Sequence, residues 1–590
     1  MSAVAVFFIC ISLLIGFGYF QWSPRVARLF QLSPNETTPA HNPHLADNND
    51  YVPTPKAILW GHHYTSIAGA APIIGPAVAV FWGWLPALCW IVFGTIFIGA
   101  VHDMGALIIS MRHDGKTLAD ISGVIIHPRV RILFQLVVYC LIWVVLAVFG
   151  IAIGVLFQHH PQSVIPIHIQ IIAAMTIGLL IHRYQRSIFW PSVIAILILY
   201  AAIPLGVQFP ITLPELHLPL LGIDTLPSFS LWAILLILYS GIASALPVWL
   251  LLQPRDYLNA FQLVIGLGLL VAGLIVLNPT IQAPLLGHIH TTETLNTLNI
   301  LKSTEANQHP VIPMLFVTVA CGAISGFHGL VSSGTTSKQL NKAQDARPIG
   351  YGSMVGEAIL AVLATLAVTS GLKNWGEHYH SWSDSGILAI DRFVEGAGQF
   401  IHALRIPLEW AHLLVAMLAI AFAATSMDTA ARIQRYIVTE FGQQLGWKSL
   451  NNKWIATAIA VLPPIPLVLA GKQAWGPLWL LFGVTNQLIG GLTFLVLIIY
   501  LKQNNRPTRA ILAPMLIVLI MTTAALLFSL SQWWQQLGQA GAPANILTIG
   551  LGIVILLLEG WFITESIRAW QKYSSDEINP TKEKPDAPIS

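Results

Sequence analysis

The chain of 590 residues carries 29 Lys plus Arg and 26 Asp plus Glu, so only 9% of it is charged, where soluble globular proteins run at about 25%. Hydrophobic residues make up 55% and the mean hydropathy is +0.70. Such a composition excludes a cytosolic enzyme, a nucleic-acid binder and a disordered scaffold, and a net charge of +3 is too small to call for an acidic partner. The chain reads as a polytopic membrane protein.

A helix needs about 20 apolar residues to cross a hydrocarbon layer about 30 Å thick. In chain order, fifteen stretches meet that length: 3–20, 57–83, 84–111, 132–157, 164–182, 188–210, 229–252, 257–277, 311–336, 352–372, 408–430, 454–470, 476–500, 510–530 and 546–567. The runs are continuous rather than alternating, which predicts an all-α transmembrane bundle and not a barrel. The first run, Val4 to Phe20, has no basic residue ahead of it and no small-residue cleavage site behind it, and reads as a retained helix, with a cleaved signal peptide as the minor alternative. Cys10, Cys89, Cys140 and Cys321 all lie within apolar stretches without CxxC spacing, so no disulfide frame or thiolate metal site is indicated. The expected organisation is an N-terminal helix and loop (1–56), a core in two halves (about 57–277 and 311–530), a last helix (531–573) and a polar, Pro-containing tail (574–590) expected to be disordered.

With the N-terminus outside and the spans alternating, 24 of the 29 basic residues fall on the inside. The outside holds only Lys302, Lys373, Arg392, Arg405 and Lys472. This asymmetry, with the C-terminus inside, is what the positive-inside rule demands. Two outside loops are long, 278–310 and 373–407, and the second contains a weakly apolar stretch, Gly386 to Phe400, suited to lie on the membrane or re-enter it.

Two spans read as discontinuous. HHYTSIAGAAPIIGPAVAVFWGW has Gly69, Pro72, Gly75 and Pro76 near its midpoint; CGAISGFHGLVSSGTTSKQL has Gly322, Gly326, Gly329 and Gly334 with six hydroxyl residues, Ser325, Ser332, Ser333, Thr335, Thr336 and Ser337. Proline removes a backbone donor and glycine frees the chain from helical geometry. Freed backbone groups survive in hydrocarbon only where they are buried in protein or line a cavity. The two segments run in opposite directions, as an inverted repeat requires, and such pairs mark the central site of a transporter. Gly and Pro also serve as simple kinks or packing points in membrane helices, the alternative for either segment alone.

No ATP-driven pump is indicated: the position that a phosphate loop needs as glycine, five residues before Gly115-Lys116-Thr117, is Ser110. HExxH is absent, so an intramembrane metalloprotease lacks its signature. The expectation is therefore a carrier or a channel, without enzymatic activity or cofactor. Ionisable residues within spans cost roughly 2.5–3.5 kcal/mol each at the bilayer centre, so His102, Asp103, His328, Glu357, Asp428 and Glu559 each need a reason. Asp103 lies nine residues before Arg112, about 13 Å in from the inner end. Beside it His102 offers a group titrating near neutrality, and the two form a candidate proton or cation site. Glu357 is a candidate gate partner for Arg347 or Lys338. Asp428 has Arg432 four residues on, either a simple helix-surface pair or part of the coupling. Glu559, in the last helix, reads as peripheral. His62, His63, His102, Asp103 and His328 gathered round a metal is a minor alternative.

Three stretches resemble the carbon starvation protein A family of bacterial transporters: SIAGAAPIIGPAVAVFWGWLPALCWIVFGTIFIGAVHDMGALIISMRHDGKTLADIS (66–122), ISGFHGLVSSGTTSKQL with DARPIGYGSM (324–354), and FAATSMDTAARIQRYIVTE (422–440). The resemblance spans roughly 57–500. It implies inner-membrane uptake of short peptides or pyruvate, driven by protons, under carbon starvation. It also implies kinship with the amino acid–polyamine–organocation superfamily, whose five-plus-five inverted repeat has a broken first helix in each half. Those breaks correspond here to Ser66–Pro76 and Ser325–Thr336. The candidate substrate-binding residues are then Ser66, Gly69, Ala70, Pro72, Gly75, Ser325, Gly326, His328, Ser332, Ser333, Thr335 and Thr336. His102, Asp103, Glu357, Asp428, Lys338 and Arg347 are candidates for coupling and gating. One departure stands out: the two broken spans are seven apart in this chain, not five, so either two helices are inserted or two spans are misassigned.

The expected partners are a small-molecule substrate, protons and the lipid bilayer, with no nucleic acid; oligomeric state is left open. A passive channel and a membrane sensor of starvation are the rival classes. The chain has no ring-forming filter motif, and its longest inside segment, about 36 residues, is too short for a signalling domain.

Overall fold

The computed structural model describes residues 1–45, 51–184, 189–218, 223–247, 249–287, 309–380, 382, 386–470, 475–538 and 546–578. Its helices, in chain order, are α1 (Ala3–Leu29), α2 (Lys56–Ile67), α3 (Ala71–Ala79), α4 (Trp84–Arg112), α5 (Leu118–Ile125), α6 (Pro128–His159), α7 (Val164–Tyr184), α8 (Phe189–Gln208), α9 (Ser228–Ala245) and α10 (Leu252–Leu277). They continue with α11 (Val311–Thr318), α12 (Gly326–Val331), α13 (Ala343–Gly371), α14 (Ala389–His402), α15 (Leu408–Leu445), α16 (Lys453–Leu469), α17 (Trp475–Gln503), α18 (Arg509–Gln536) and α19 (Ile546–Ile578). Among the described residues a two-stranded antiparallel ribbon, Leu216–Leu218 with Ile223–Leu226, is the one sheet.

Every expected span has its counterpart. Twelve helices are long and apolar enough to cross a membrane, and α2 with α3 makes a thirteenth, bent by 48° at its break. The remaining two are the interrupted α11–α12 segment and the shorter apolar α16. α19 runs to Ile578, five residues into the stretch expected to be disordered; 579–590 lie outside the described residues, as does 288–308 of the first long loop.

Both expected breaks exist. α2 ends at Ile67 because the chain leaves helical geometry at Ala68 (φ −76°, ψ 68°), and α3 restarts with Pro72 in its first turn, where a missing N–H is harmless. α11 ends at Thr318, the chain leaving helical geometry at Val319 (φ −100°, ψ 61°), and α12 begins only after Ser325, in extended backbone, then tightens into a π turn, Ser332–Thr336. The pair is antiparallel: α2 packs on α12 and its π turn, while α3 packs on α11. They cross where Gly75 meets the Thr318 carbonyl; a Cβ at Gly75 would stand 2.7 Å from that oxygen.

Around this crossing the helices sort into two groups. α4 and α13 pack on the broken pair to form an inner bundle, while α6, α9, α15 and α16 pack on one another as a surrounding frame. α10 bridges the two through α2 and α15. The seven-step spacing now has its reason. α7 and α8 form a hairpin that packs chiefly on itself and on the side of α10. Setting this hairpin aside leaves the broken spans five apart, the spacing that the resemblance implies. Gln170 on α7 fixes the insertion, its Nε2 2.6 Å from both Asn259 Oδ1 and Gln262 Oε1 of α10.

Loop contacts sort into two faces. On one, residues 1–3 meet 279–281, Trp82 meets His309, and His160 meets Asp391. On the other, Tyr51 meets Asp114, Thr54 meets Gln339, and Gln135 meets Glu440. The second is the face rich in Lys and Arg, called the basic face below.

Gly326 has no room for a side chain: a Cβ there would overlap the Asn486 carbonyl oxygen and the Gly490 nitrogen of α17. Gly326→Ala therefore forces α12 off α17. We expect it to destabilise the protein by about 1–3 kcal/mol, as overpacking does, read as a lowered unfolding temperature in detergent; an unchanged temperature would contradict this packing.

Candidate functional site

Four of the intramembrane ionisable residues converge. Asp103 stands in mid-α4 with His102 beside it, and its two oxygens take different partners. Oδ1 is 2.8 Å from His102 Nδ1 and Oδ2 is 2.9 Å from His328 Nδ1. His328 lies in α12, the second half of the broken span. Its other nitrogen, Nε2, stands 3.2 Å from Glu357 Oε2 of α13, within ion-pair distance but not aligned as a hydrogen bond. All four side chains are fully buried. The result is a carboxylate–imidazole–carboxylate chain joining three inner-bundle helices through one histidine. Glu357 thus pairs with neither Arg347 nor Lys338, correcting the expected gate. Arg347 instead donates to Ser23 Oγ (2.8 Å) and the Tyr19 carbonyl (3.1 Å), fastening α13 to α1. Lys338 lies over the Tyr51 ring on the basic face.

The other candidates gather along the breaks. Thr336 Oγ1 is 2.8 Å from His63 Nδ1, tying the two broken spans together. Ser333 donates to the Gly329 carbonyl and accepts from the Leu118 N–H, and Thr335 donates to the Val331 carbonyl. Ser66 and Ser332 are buried with hydroxyls that have no protein hydrogen-bond partner. Ala70 starts α3, its carbonyl accepting from Ile73 and Ile74, and Gly69 abuts Ser426 and Phe149. Ser325 is held by Asn486 of α17. The Asn486 Oδ1 accepts from Ser325 Oγ (3.1 Å) and from the Phe327 N–H (2.9 Å), while its Nδ2 donates to Cys321 Sγ (3.2 Å). Asn486 therefore satisfies donors that the break leaves free.

A cavity of about 420 Å³ opens on the basic face and reaches Ser66, Ser333 and Thr335 at the breaks, with Lys338, Arg432 and Glu440 on its walls. A second, of about 360 Å³, adjoins it along α10 and shares His62, Gln253 and Gln339 with it. The opposite end is shut by aromatic rings. Trp82 donates to the His309 carbonyl (2.9 Å), Trp382 stacks on the His309 ring at 4.5 Å and meets Trp82 at 5.1 Å, and the Tyr379 hydroxyl bonds the Ala77 carbonyl. On that face the amphipathic α14, which covers most of Gly386 to Phe400 and runs on to His402, packs on α3, α10 and α15. His159 and His160 at the end of α6 hold it through Asp391, at 3.1 and 2.9 Å. Burial raises the Asp391 carboxyl, but these two hydrogen bonds outweigh it and hold the group well below the usual carboxylate range.

Sequence reasoning missed one cluster. Asp428 is fully buried and pairs with Arg255 of α10, 173 residues away, rather than with Arg432. Arg432 caps carbonyls of Ala243 and Leu246 at the end of α9. Tyr239 also bonds Arg255 (3.3 Å), and next to it Asp256 Oδ2 takes His62 Nδ1 at 3.0 Å. The available signal was Arg255-Asp256 at the head of an apolar run, where Arg255 counted only among the inside basic residues. Glu559, expected to be peripheral, is buried and accepts from Thr523 Oγ1 at 2.6 Å. Among the described residues no group of three His, Cys, Asp or Glu side chains is placed to hold a metal ion.

The family model described as carbon starvation protein CstA matches residues 2–375 and 373–525. The peptide transporter CstA of Bacillus subtilis is 28% identical over 588 residues, covering 93% of this chain and 94% of that one. A peptide transporter CstA of Helicobacter pylori is 31% identical, over 85% of this chain and 78% of its own. The pyruvate/proton symporter BtsT of Escherichia coli is 34% identical over 353 residues, 58% of this chain and 45% of that one.

Proposed function

The chain belongs to the carbon starvation protein CstA family, and from that premise we propose that it is a proton-coupled importer of a small carboxylate cargo, pyruvate or a short peptide, used in carbon starvation. We place it in the bacterial inner membrane with the basic face and C-terminus cytoplasmic and the N-terminus periplasmic, on the bias of 24 basic residues to 5.

One observation carries the coupling: Asp103, His328 and Glu357 form a buried, titratable chain that includes a broken-span residue. With both carboxylates ionised and the imidazole protonated the chain is net negative; one more proton makes it neutral. Groups this close titrate as a unit rather than singly. Because His328 sits on α12, gaining or losing that proton changes the forces on the broken span itself. The cargo's carboxylate suits the break between α2 and α3, where the start of α3 at Ala70 and Ala71 carries the positive end of the helix dipole. A cavity open on one face and closed by Trp82, His309 and Trp382 on the other favours alternating access over a channel.

Reconstituted uptake of labelled pyruvate against dipeptides, with and without an imposed pH gradient, tests this reading. We expect saturable accumulation of one class that collapses when a protonophore dissipates the gradient. Uptake that never exceeds equilibrium would make the protein a channel; accumulation indifferent to the gradient would remove the proton.

A further inference from the structure

His62 and His63 lie outside the Asp103–His328–Glu357 chain, yet both are buried or nearly so, and neither serves as a simple packing residue. His62 lines both basic-face cavities and is braced by Asp256 at 3.0 Å, a carboxylate that fixes the orientation of the ring. His63 follows it in α2, is fully buried, and is braced by Thr336 at 2.8 Å. Thr336 lies in the π turn that continues α12, the helix of His328, and α2 packs on both, so His63 is tied to the segment that carries the buried chain. His62, His63, His102 and His328 share one feature: in each, Nδ1 is engaged and Nε2 is buried without a hydrogen-bond partner. Four such nitrogens in one region are far from the usual satisfaction of buried polar atoms, and bridging by water is the ordinary remedy.

We propose that His63 and the His62–Asp256 pair form the path by which the proton passes between the buried Asp103–His328–Glu357 chain and the basic-face cavity. The inference rests on the proton-coupled reading above and adds to it the route and its port. Each hop moves one proton between imidazoles, directly or through a water, and returns the donor ring to its neutral form. At the port the proton leaves His62 for water in the cavity. The charged and titratable groups facing this path are Asp256 and Arg255 of α10, Asp428 of α15, and Asp103, His102, His328 and Glu357 of the inner bundle, with Lys338, Arg432 and Glu440 on the walls of the cavity at its port. Arg255 is occupied by Asp428 and Tyr239, which leaves Asp256 to His62.

The test uses the full chain in proteoliposomes with whichever labelled cargo, pyruvate or dialanine, the wild type accumulates. We expect His62→Ala and Asp256→Asn to slow pH-gradient-driven uptake by about tenfold or more, as loss of a proton-transfer group does. Counterflow, which exchanges cargo without net proton movement, stays within about twofold of the wild type on that same ground. Imidazole added on the cavity side restores gradient-driven uptake to His62→Ala, which a merely structural histidine would not permit. Gradient-driven uptake of His62→Ala at the wild-type rate overturns the path and leaves the importer intact. Equal loss of counterflow and driven uptake without imidazole rescue also overturns it, making His62 a structural residue. A wild type that accumulates nothing under a gradient overturns the importer itself, and the path with it.

Discussion

His328→Gln abolishes pH-gradient-driven uptake, a fall of roughly 10²-fold or more, the scale on which a positioned proton-transfer group acts. Glutamine approximates the volume of the ring and can still hydrogen-bond Asp103, so the cavity and the break keep their shape. What it cannot do is exchange a proton between the Asp103 and Glu357 carboxylates, which stand 2.9 and 3.2 Å from the two ring nitrogens. Without the imidazole, two buried carboxylates face each other across α12 with no proton carrier between them. Glu357→Gln is expected to give the same phenotype, since it removes the far end of the same chain. Transport assays on variants with wild-type elution from a sizing column check this. A His328→Gln protein that still accumulates cargo against its gradient would detach the proton from these residues.

Arg255→Met destabilises the protein by about 3–5 kcal/mol, because it leaves Asp428 as an unpaired charge in a fully buried seam. The double variant Arg255→Met, Asp428→Leu regains most of that loss, since a buried ion pair replaced by apolar groups of similar volume is often neutral. The next turn supports the same seam, where Asn259 Nδ2 bonds Thr425 Oγ1. Thermal unfolding of both variants in detergent separates the cases. If the double variant is no better than the single, the pair contributes stability of its own rather than each partner merely neutralising the other.

The apolar runs were legible because a membrane span needs length and continuity, both properties of sequence. The breaks were legible for a related reason: Gly69, Pro72, Gly75 and Pro76, or four glycines among hydroxyls, cannot sustain a helix whose backbone must satisfy itself. The expense of burying charge likewise picked out His102, Asp103, His328 and Glu357 one by one. That they meet was not legible, because nothing in a one-dimensional pattern reports that 103, 328 and 357 share a layer. Partner choice failed for the same reason. Asp428 has Arg432 at the spacing that pairs residues on a free helix, yet the seam between α10 and α15 supplies Arg255 instead. Asn486 and Gln487 interrupt an apolar run and could have been singled out, since a buried amide needs partners, and these two serve the Phe327 N–H and the Phe316 carbonyl. The insertion of α7 and α8 was visible only as a miscount.

The contact of Gly75 with the Thr318 carbonyl has a mechanical reading. Two rods that touch backbone to backbone at one point, each jointed close to that point, behave like the blades of scissors about a rivet. The arms on one side can spread while those on the other draw together, and the rivet need not travel. Such a linkage lets a carrier reverse its opening without dragging its whole frame, and it ties the width of one mouth to the tightness of the other.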